Sequence, residues 1–140
     1  MQATNGDFYG TAAIGGAKGE GTVFKITSAG ALTTLYSFCS QPYCTDGVSP
    51  NPGLVQTTNA DLYGTTNAYG AGGGGTFFKI TPSGELTTIY SFCRGYPECL
   101  DAAGPSGGLV LGTDGDFYGT AGGGATRARE RSSKSPRAAR

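Results

Sequence analysis

Along Thr76-Phe77-Phe78-Lys79-Ile80-Thr81 the side chains alternate, with Phe78 and Ile80 on one face and Phe77, Lys79 and Thr81 on the other. This period of two predicts a β-strand. Pro82-Ser83-Gly84 closes the run with turn chemistry, since proline presets φ and glycine takes the left-handed region. The alternation resumes from Glu85 to Phe92 and places Leu86, Thr88, Tyr90 and Phe92 together. Upstream, the apolar run Gly53-Leu54-Val55-Gln56-Thr57 predicts a further strand, and Asn59-Ala60 stands where a two-residue hairpin turn with positive φ is expected. Asp61-Leu62-Tyr63-Gly64-Thr65 completes a set of four antiparallel strands. Both faces of these strands carry apolar groups, so each small sheet is expected to pack between two others rather than to face water.

The pattern recurs. Residues 2–39 laid over 56–93 agree at 24 of 38 positions, and Tyr-Gly-Thr appears at 9–11, 63–65 and 118–120. The turn position Asn59-Ala60 reads Asn5-Gly6 and Asp114-Gly115 in the other copies. Three units follow: a first repeat at 1–52, a second at 53–106, and the start of a third at 107–120. Residues 121–140 form a basic, low-complexity tail. The fold class is therefore all-β, built of tandem four-stranded antiparallel repeats. Four strands per 54 or 55 residues is the size of a β-propeller blade, with a β-solenoid as the rival. Two blades and a fragment make an incomplete ring, completed by further repeats of a longer chain or by self-association.

Composition supports many tight turns, with 26 glycines and 15 aromatic residues among 140. Zero net charge hides an asymmetry: 1–120 carry four basic against nine acidic residues, and the last twenty carry six against one. A basic segment without aromatics on an acidic body is weak evidence for nucleic-acid binding, and none is expected. No apolar run reaches membrane-spanning length, and no leader with a basic start and apolar centre opens the chain.

The spaced motifs Gly53-Leu54-Val55, Asp61-Leu62-Tyr63-Gly64-Thr65, Gly75 to Gly84 and Leu86 to Phe92 resemble the GloVer tandem repeat of choice-of-anchor proteins. The resemblance covers nearly all of 1–120. It implies a bacterial protein that is exported or held at the cell surface, made of many such repeats and tethered by varied C-terminal anchors. It brings no activity and no catalytic residues. Neither the leader nor the anchor that the family implies is expected within these 140 residues.

Those absences bear on the tail. Permitted codons for Arg129 to Arg137, read from the third base, encode Gly-Thr-Phe-Phe-Lys-Ile-Thr-Pro, the sequence of 75–82. The displaced lysine falls at Lys134, in register with Lys79 at the 55-residue spacing of Tyr63 and Tyr118. A frameshift between about Thr120 and Arg129 is the expectation, and resequencing the gene tests it. Met1 aligns with Val55 and Val110, so a valine GTG read as a start is expected too.

Candidate chemistry centres on the cysteines. Cys39 and Cys44 enclose four residues, and Cys93 and Cys99 enclose five, at the same place in consecutive repeats. Local pairing is the most economical of three connectivities, ahead of reduced thiols and of a four-cysteine zinc site, whose paired ligands usually stand closer in sequence. Such bridges persist outside a reducing cytosol, in agreement with the export that the resemblance implies. The Gly70–Gly75 run formally meets a dinucleotide fingerprint but leads into a strand instead of a helix, so a loop is expected. Asp7, Asp61 and Asp116 stand beside turns, where a carboxylate can accept backbone hydrogen bonds.

With no histidine in the chain, Ser-His-Asp catalysis and histidine metal centres are excluded within it. No catalytic, metal or cofactor-binding residues are assigned, and no cofactor is expected. The expected role is a structural or binding module for a carbohydrate or protein ligand, with Tyr43, Tyr69 and Tyr96 as surface aromatics able to stack on sugar rings or pack against protein. The alternative is a fragment of a propeller enzyme, of lyase or glycoside hydrolase type, whose catalytic residues lie in missing blades. The strand pattern is similar to that of streptogramin lyases, whose chemistry uses a histidine.

Overall fold

A computed structural model describes residues 1–94, 98–124 and 131–135. The chain is all-β, in three open antiparallel sheets. The first contains β1 (Phe8–Ala12), β2 (Thr22–Ile26) and β3 (Leu32–Ser37). The second contains β4 (Val48–Pro50), β5 (Val55–Gln56), β6 (Leu62–Ala68), β7 (Thr76–Ile80) and β8 (Leu86–Ser91). Because β4 and β5 pair with successive stretches of β6, these five strands fill four positions. The third contains β9 (Ala103–Leu111), β10 (Phe117–Gly123) and β11 (Arg131–Ser135). Beside β1, the bridge from Gln2 to Phe8 holds the first residues where β5 lies in the second sheet.

The sheets share one register. Tyr9 opposes Lys25, Tyr63 opposes Lys79, and Tyr118 opposes Lys134. The tail thus supplies a strand at the position expected from the 55-residue spacing. Positions that carry Phe77 and Phe78 in the second sheet carry Ser132 and Ser133 in the third.

Turns at the β5–β6 position differ from the two-residue hairpins expected. Ala60 N–H donates to Thr57 O, Thr57 N–H donates to Asp61 O, and only the later turn residue, Ala60, has positive φ. The same bonds and the same single positive φ recur at Gly6 and Gly115. This is a type I turn followed by a left-handed residue, a three-residue loop. Asn5, Asn59 and Asp114 accept the backbone N–H of Asp7, Asp61 and Asp116. The backbone of the expected aspartates thus donates, while the carboxylates of Asp7 and Asp61 stand 4.0 and 3.9 Å from Lys25 and Lys79.

Two apolar clusters lie between the sheets. The first joins Tyr9, Val23 and Phe38 to Leu54, Leu62, Phe78 and Ile80. The second joins Tyr63, Phe77 and Phe92 to Phe117 and Ala121. Phe78 and Ile80 therefore face the first sheet and Phe77 faces the third, as their alternation predicts.

Strand β8 departs from simple alternation. Phe77 opposes Tyr90 but Phe78 opposes Thr88, so Ile89 is an extra residue in a β-bulge. Leu86 consequently packs with the first cluster, while Ile89, Tyr90 and Phe92 pack with the second. The expected common face of Leu86, Tyr90 and Phe92 is split. Leu35 is the corresponding extra residue of β3, between Thr34 and Tyr36.

Neighbouring sheets are joined by matching backbone contacts. Ser49 N–H donates to Glu20 O at 2.8 Å, and Gly104 N–H donates to Gly74 O at 2.7 Å. Pro50 lies against Gly21 and Pro105 against Gly75. The side-chain amide of Asn51 donates to both Thr65 Oγ1 and Pro105 O, tying the second sheet to the third.

Candidate functional site

Both cysteine pairs form disulfides, Cys39–Cys44 and Cys93–Cys99, with Cα separations of 4.1 and 3.9 Å. Local pairing is thereby realised, and no free cysteine is left for a zinc site. All four cysteines adopt positive φ, a conformation uncommon for residues other than glycine. The bridges therefore close tight corners just beyond β3 and β8, and two disulfides fit an oxidising environment.

Each corner is held by a partly buried acid–phenol contact that sequence reading missed. The Asp46 carboxylate is buried and accepts the Tyr36 hydroxyl at 2.7 Å, Ser40 N–H at 2.9 Å and Gln41 N–H at 3.3 Å. In the next repeat, Asp101 accepts the Tyr90 hydroxyl at 2.5 Å and Arg94 N–H at 2.7 Å. The guanidinium of Arg94 sits 4.8 Å from the Tyr90 ring centroid, a cation–π contact. A signal was present in the sequence, since each aspartate stands two residues after the second cysteine of its pair. These carboxylates satisfy loop N–H groups, which is a positioning role rather than acid–base chemistry.

The electrostatics follow from this arrangement. Burial, then the hydrogen bond to Asp46 and its negative charge, pushes the Tyr36 phenol well above its ordinary 10.0. Burial and the bond to Asp101 raise Tyr90 in the same way. For Asp101 itself burial acts upward, but the bonds from Tyr90 and from the N–H groups of Ala102 and Arg94 outweigh it and hold the carboxyl below 3.8.

A phenol whose folded value is raised contributes stability that is complete below its unfolded value and lost as pH rises towards the folded one. The urea midpoint is therefore expected to fall as pH is taken above about 10. In the Tyr36→Phe/Tyr90→Phe double variant that slope should be shallower, and an unchanged slope would assign the alkaline loss to other groups.

Of the candidate surface aromatics, Tyr43 is 92% exposed and Tyr69 is 53% exposed. The structure brings them together: Gly70 N–H donates to Cys44 O at 3.1 Å, and Val48 pairs with Ala68. Each tyrosine thus stands one residue from a bonded backbone pair, in a corner braced by a disulfide. Tyr96 lies outside the described residues. A cleft between β6 and the third sheet, lined by Thr65, Phe92, Pro105, Leu109 and Thr120, has room for about one water molecule, far too little for a substrate.

Among the described residues there is no helix long and apolar enough to cross a membrane and no cluster of three or more potential metal ligands. No curated protein matches the chain. The model of the Gloeobacter/Verrucomicrobia repeat matches residues 1–130, spanning all three occurrences of the Tyr-Gly-Thr strand and both disulfide corners. With the match covering nearly the whole of a chain whose sheets share one register, this protein belongs to the Gloeobacter/Verrucomicrobia (GloVer) repeat family.

Proposed function

We propose that the chain is part of an exported or surface-held bacterial protein, a β-propeller-like array serving as a structural module or as a binding module for a carbohydrate or protein ligand. The observation that carries this reading is the Tyr43–Tyr69 corner, two exposed aromatics on adjoining backbone segments next to a disulfide. Flat rings with polar tips suit the apolar faces and hydroxyl rims of sugars. A corner ordered beforehand loses less conformational entropy on binding. The blade-like reading is supported by four antiparallel strand positions in the second sheet and by matching contacts on its two sides. Export accords with disulfides placed at equivalent positions in consecutive repeats.

Binding to a glycan array, followed by calorimetry on any hit, tests the module. Tyr43→Ala and Tyr69→Ala should each weaken binding at least about tenfold, the effect of losing roughly 1.4 kcal/mol, with little change in the urea midpoint. Wild-type affinity in the double variant would remove the corner from the binding surface.

A further inference from the structure

The Cys39–Cys44 bridge sits where it can control the tyrosine corner. Residues 39–45 belong to neither apolar cluster and run between two buried anchors, Phe38 of the first cluster on one side and Asp46 with Val48 on the other. Within this loop Cys39, Tyr43 and Cys44 all hold positive φ, at 66°, 58° and 53°, a region disfavoured for residues that carry a Cβ. Besides the bridge, the turn that carries Tyr43 is closed by backbone bonds from Cys44 N–H to Gln41 O at 3.0 Å and from Thr45 N–H to Pro42 O at 3.3 Å. Tyr69 is held differently. Gly75 N–H donates to Tyr69 O at 2.6 Å and Gly73 N–H donates to Gly70 O at 3.1 Å, both within the loop of the second sheet. Across the corner, Gly70 N–H donates to Cys44 O, the carbonyl of a bridged cysteine.

We infer that Cys39–Cys44 is a redox latch on this corner: when a dithiol reduces the bridge, the loop relaxes and Tyr43 leaves its place beside the Tyr69 loop, while Tyr69 stays. Both cysteines are half-buried, which leaves the bridge open to a thiolate of the dithiol. Attack on one sulfur forms a mixed disulfide and expels the other cysteine as thiolate, and the second thiolate of the dithiol then displaces the first cysteine. The dithiol ends as its own disulfide, and its two protons pass to Cys39 and Cys44. Without the cross-link the left-handed residues return to negative φ and the Cys44 carbonyl turns away from Gly70. The sheets remain, because the anchors are buried and the Tyr36–Asp46 contact ties the ends of the loop. Loss of ligand on reduction rests on the binding reading of the corner; the opening itself does not.

Limited digestion with chymotrypsin, read by mass spectrometry before and after dithiothreitol, tests the latch. The oxidised protein should resist cleavage after Tyr43. The reduced protein should be cut there about tenfold faster, because cleavage follows the population of the opened loop, with no change after Tyr69. Cys93→Ser/Cys99→Ser should respond like the wild type, and Cys39→Ser/Cys44→Ser should be cut at the fast rate without reductant. Equal cleavage at Tyr43 with and without dithiothreitol would overturn the inference. So would loss of the whole β-sheet circular dichroism signal on reduction, which would make the bridge a support of the fold and not a latch. On a glycan array, a hit of the oxidised protein should weaken on reduction as far as it does in Tyr43→Ala, and a hit that survives demonstrated opening would separate the latch from binding. An array without hits counts against the binding reading alone, since the digestion still decides the latch.

Discussion

Gly75→Ala is expected to be among the most damaging single substitutions in the chain, costing about 3–5 kcal/mol of stability. Two independent costs coincide there. Gly75 has φ of +99°, where an alanine Cβ is strained. A Cβ at that point would also run into the carbonyl oxygen of Thr66 and come within 2.8 Å of Pro105 Cδ. The first is backbone of its own sheet and the second belongs to the next sheet, so neither yields as the end of a flexible side chain would. Gly73→Ala is the matched control, because Gly73 has φ of +86° with nothing within 4 Å. It should lose only the conformational term, about 1–2 kcal/mol. Urea unfolding of the two variants beside wild type separates the terms, and equal losses would show that contact with the third sheet contributes nothing.

Phe78→Ala should cost a similar amount, about 3–5 kcal/mol, while the same change at Phe24 should cost much less. The two phenylalanines occupy one repeat position. Each ring lies over a glycine of the adjoining strand, Gly64 for Phe78 and Gly10 for Phe24, which accounts for the glycine in the first two of the three Tyr-Gly-Thr strands. A Cβ at Gly64 would come within 2.8 Å of the Phe78 ring, and one at Gly10 within 2.7 Å of the Phe24 ring. They differ in what covers the other side. Phe78 is fully buried and meets Phe38 of the first sheet edge-on at 5.4 Å between centroids, whereas Phe24 is only half-buried. Unfolding measured at a concentration where the chain is monomeric should show the difference. Equal losses would mean that the outer face of the first sheet is as well packed as the inner one.

Much of this architecture could be read from the order of residues. Alternation in Thr76–Ile80 sent Phe78 and Ile80 one way and Phe77 the other, because a strand has a period of two and both neighbouring sheets are apolar. The local cysteine pairing was legible because short closures recur at one place in each repeat. The bulges at Leu35 and Ile89 were not, since an extra residue opposite a regular strand leaves no mark in a pattern of apolar positions. It arises where the strand must place Tyr90 and Phe92 against one neighbour and Leu86 against the other. The turns were misread for a related reason: Asn-Gly and Asp-Gly satisfy both a two-residue hairpin and a type I turn with one left-handed residue, and the strand register selects between them.

The candidate site divides in the same way. Tyr43 and Tyr69 could be named as surface aromatics from their loops, but 26 positions separate them in the chain, and only the pairing of β4 with β6 and the bond from Gly70 N–H to Cys44 O bring their backbone segments together. Asp46 and Asp101 looked like ordinary loop acids until the fold folded their carboxylates beneath tyrosines from β3 and β8. By itself, the sequence determined the strand content, the repeat period, the family and the cysteine pairs, because each is carried by local spacing. Tertiary structure alone decided which faces are covered, since burial depends on what the neighbouring sheet supplies. Identical repeat positions such as Phe8, Leu62 and Phe117 therefore end with different environments.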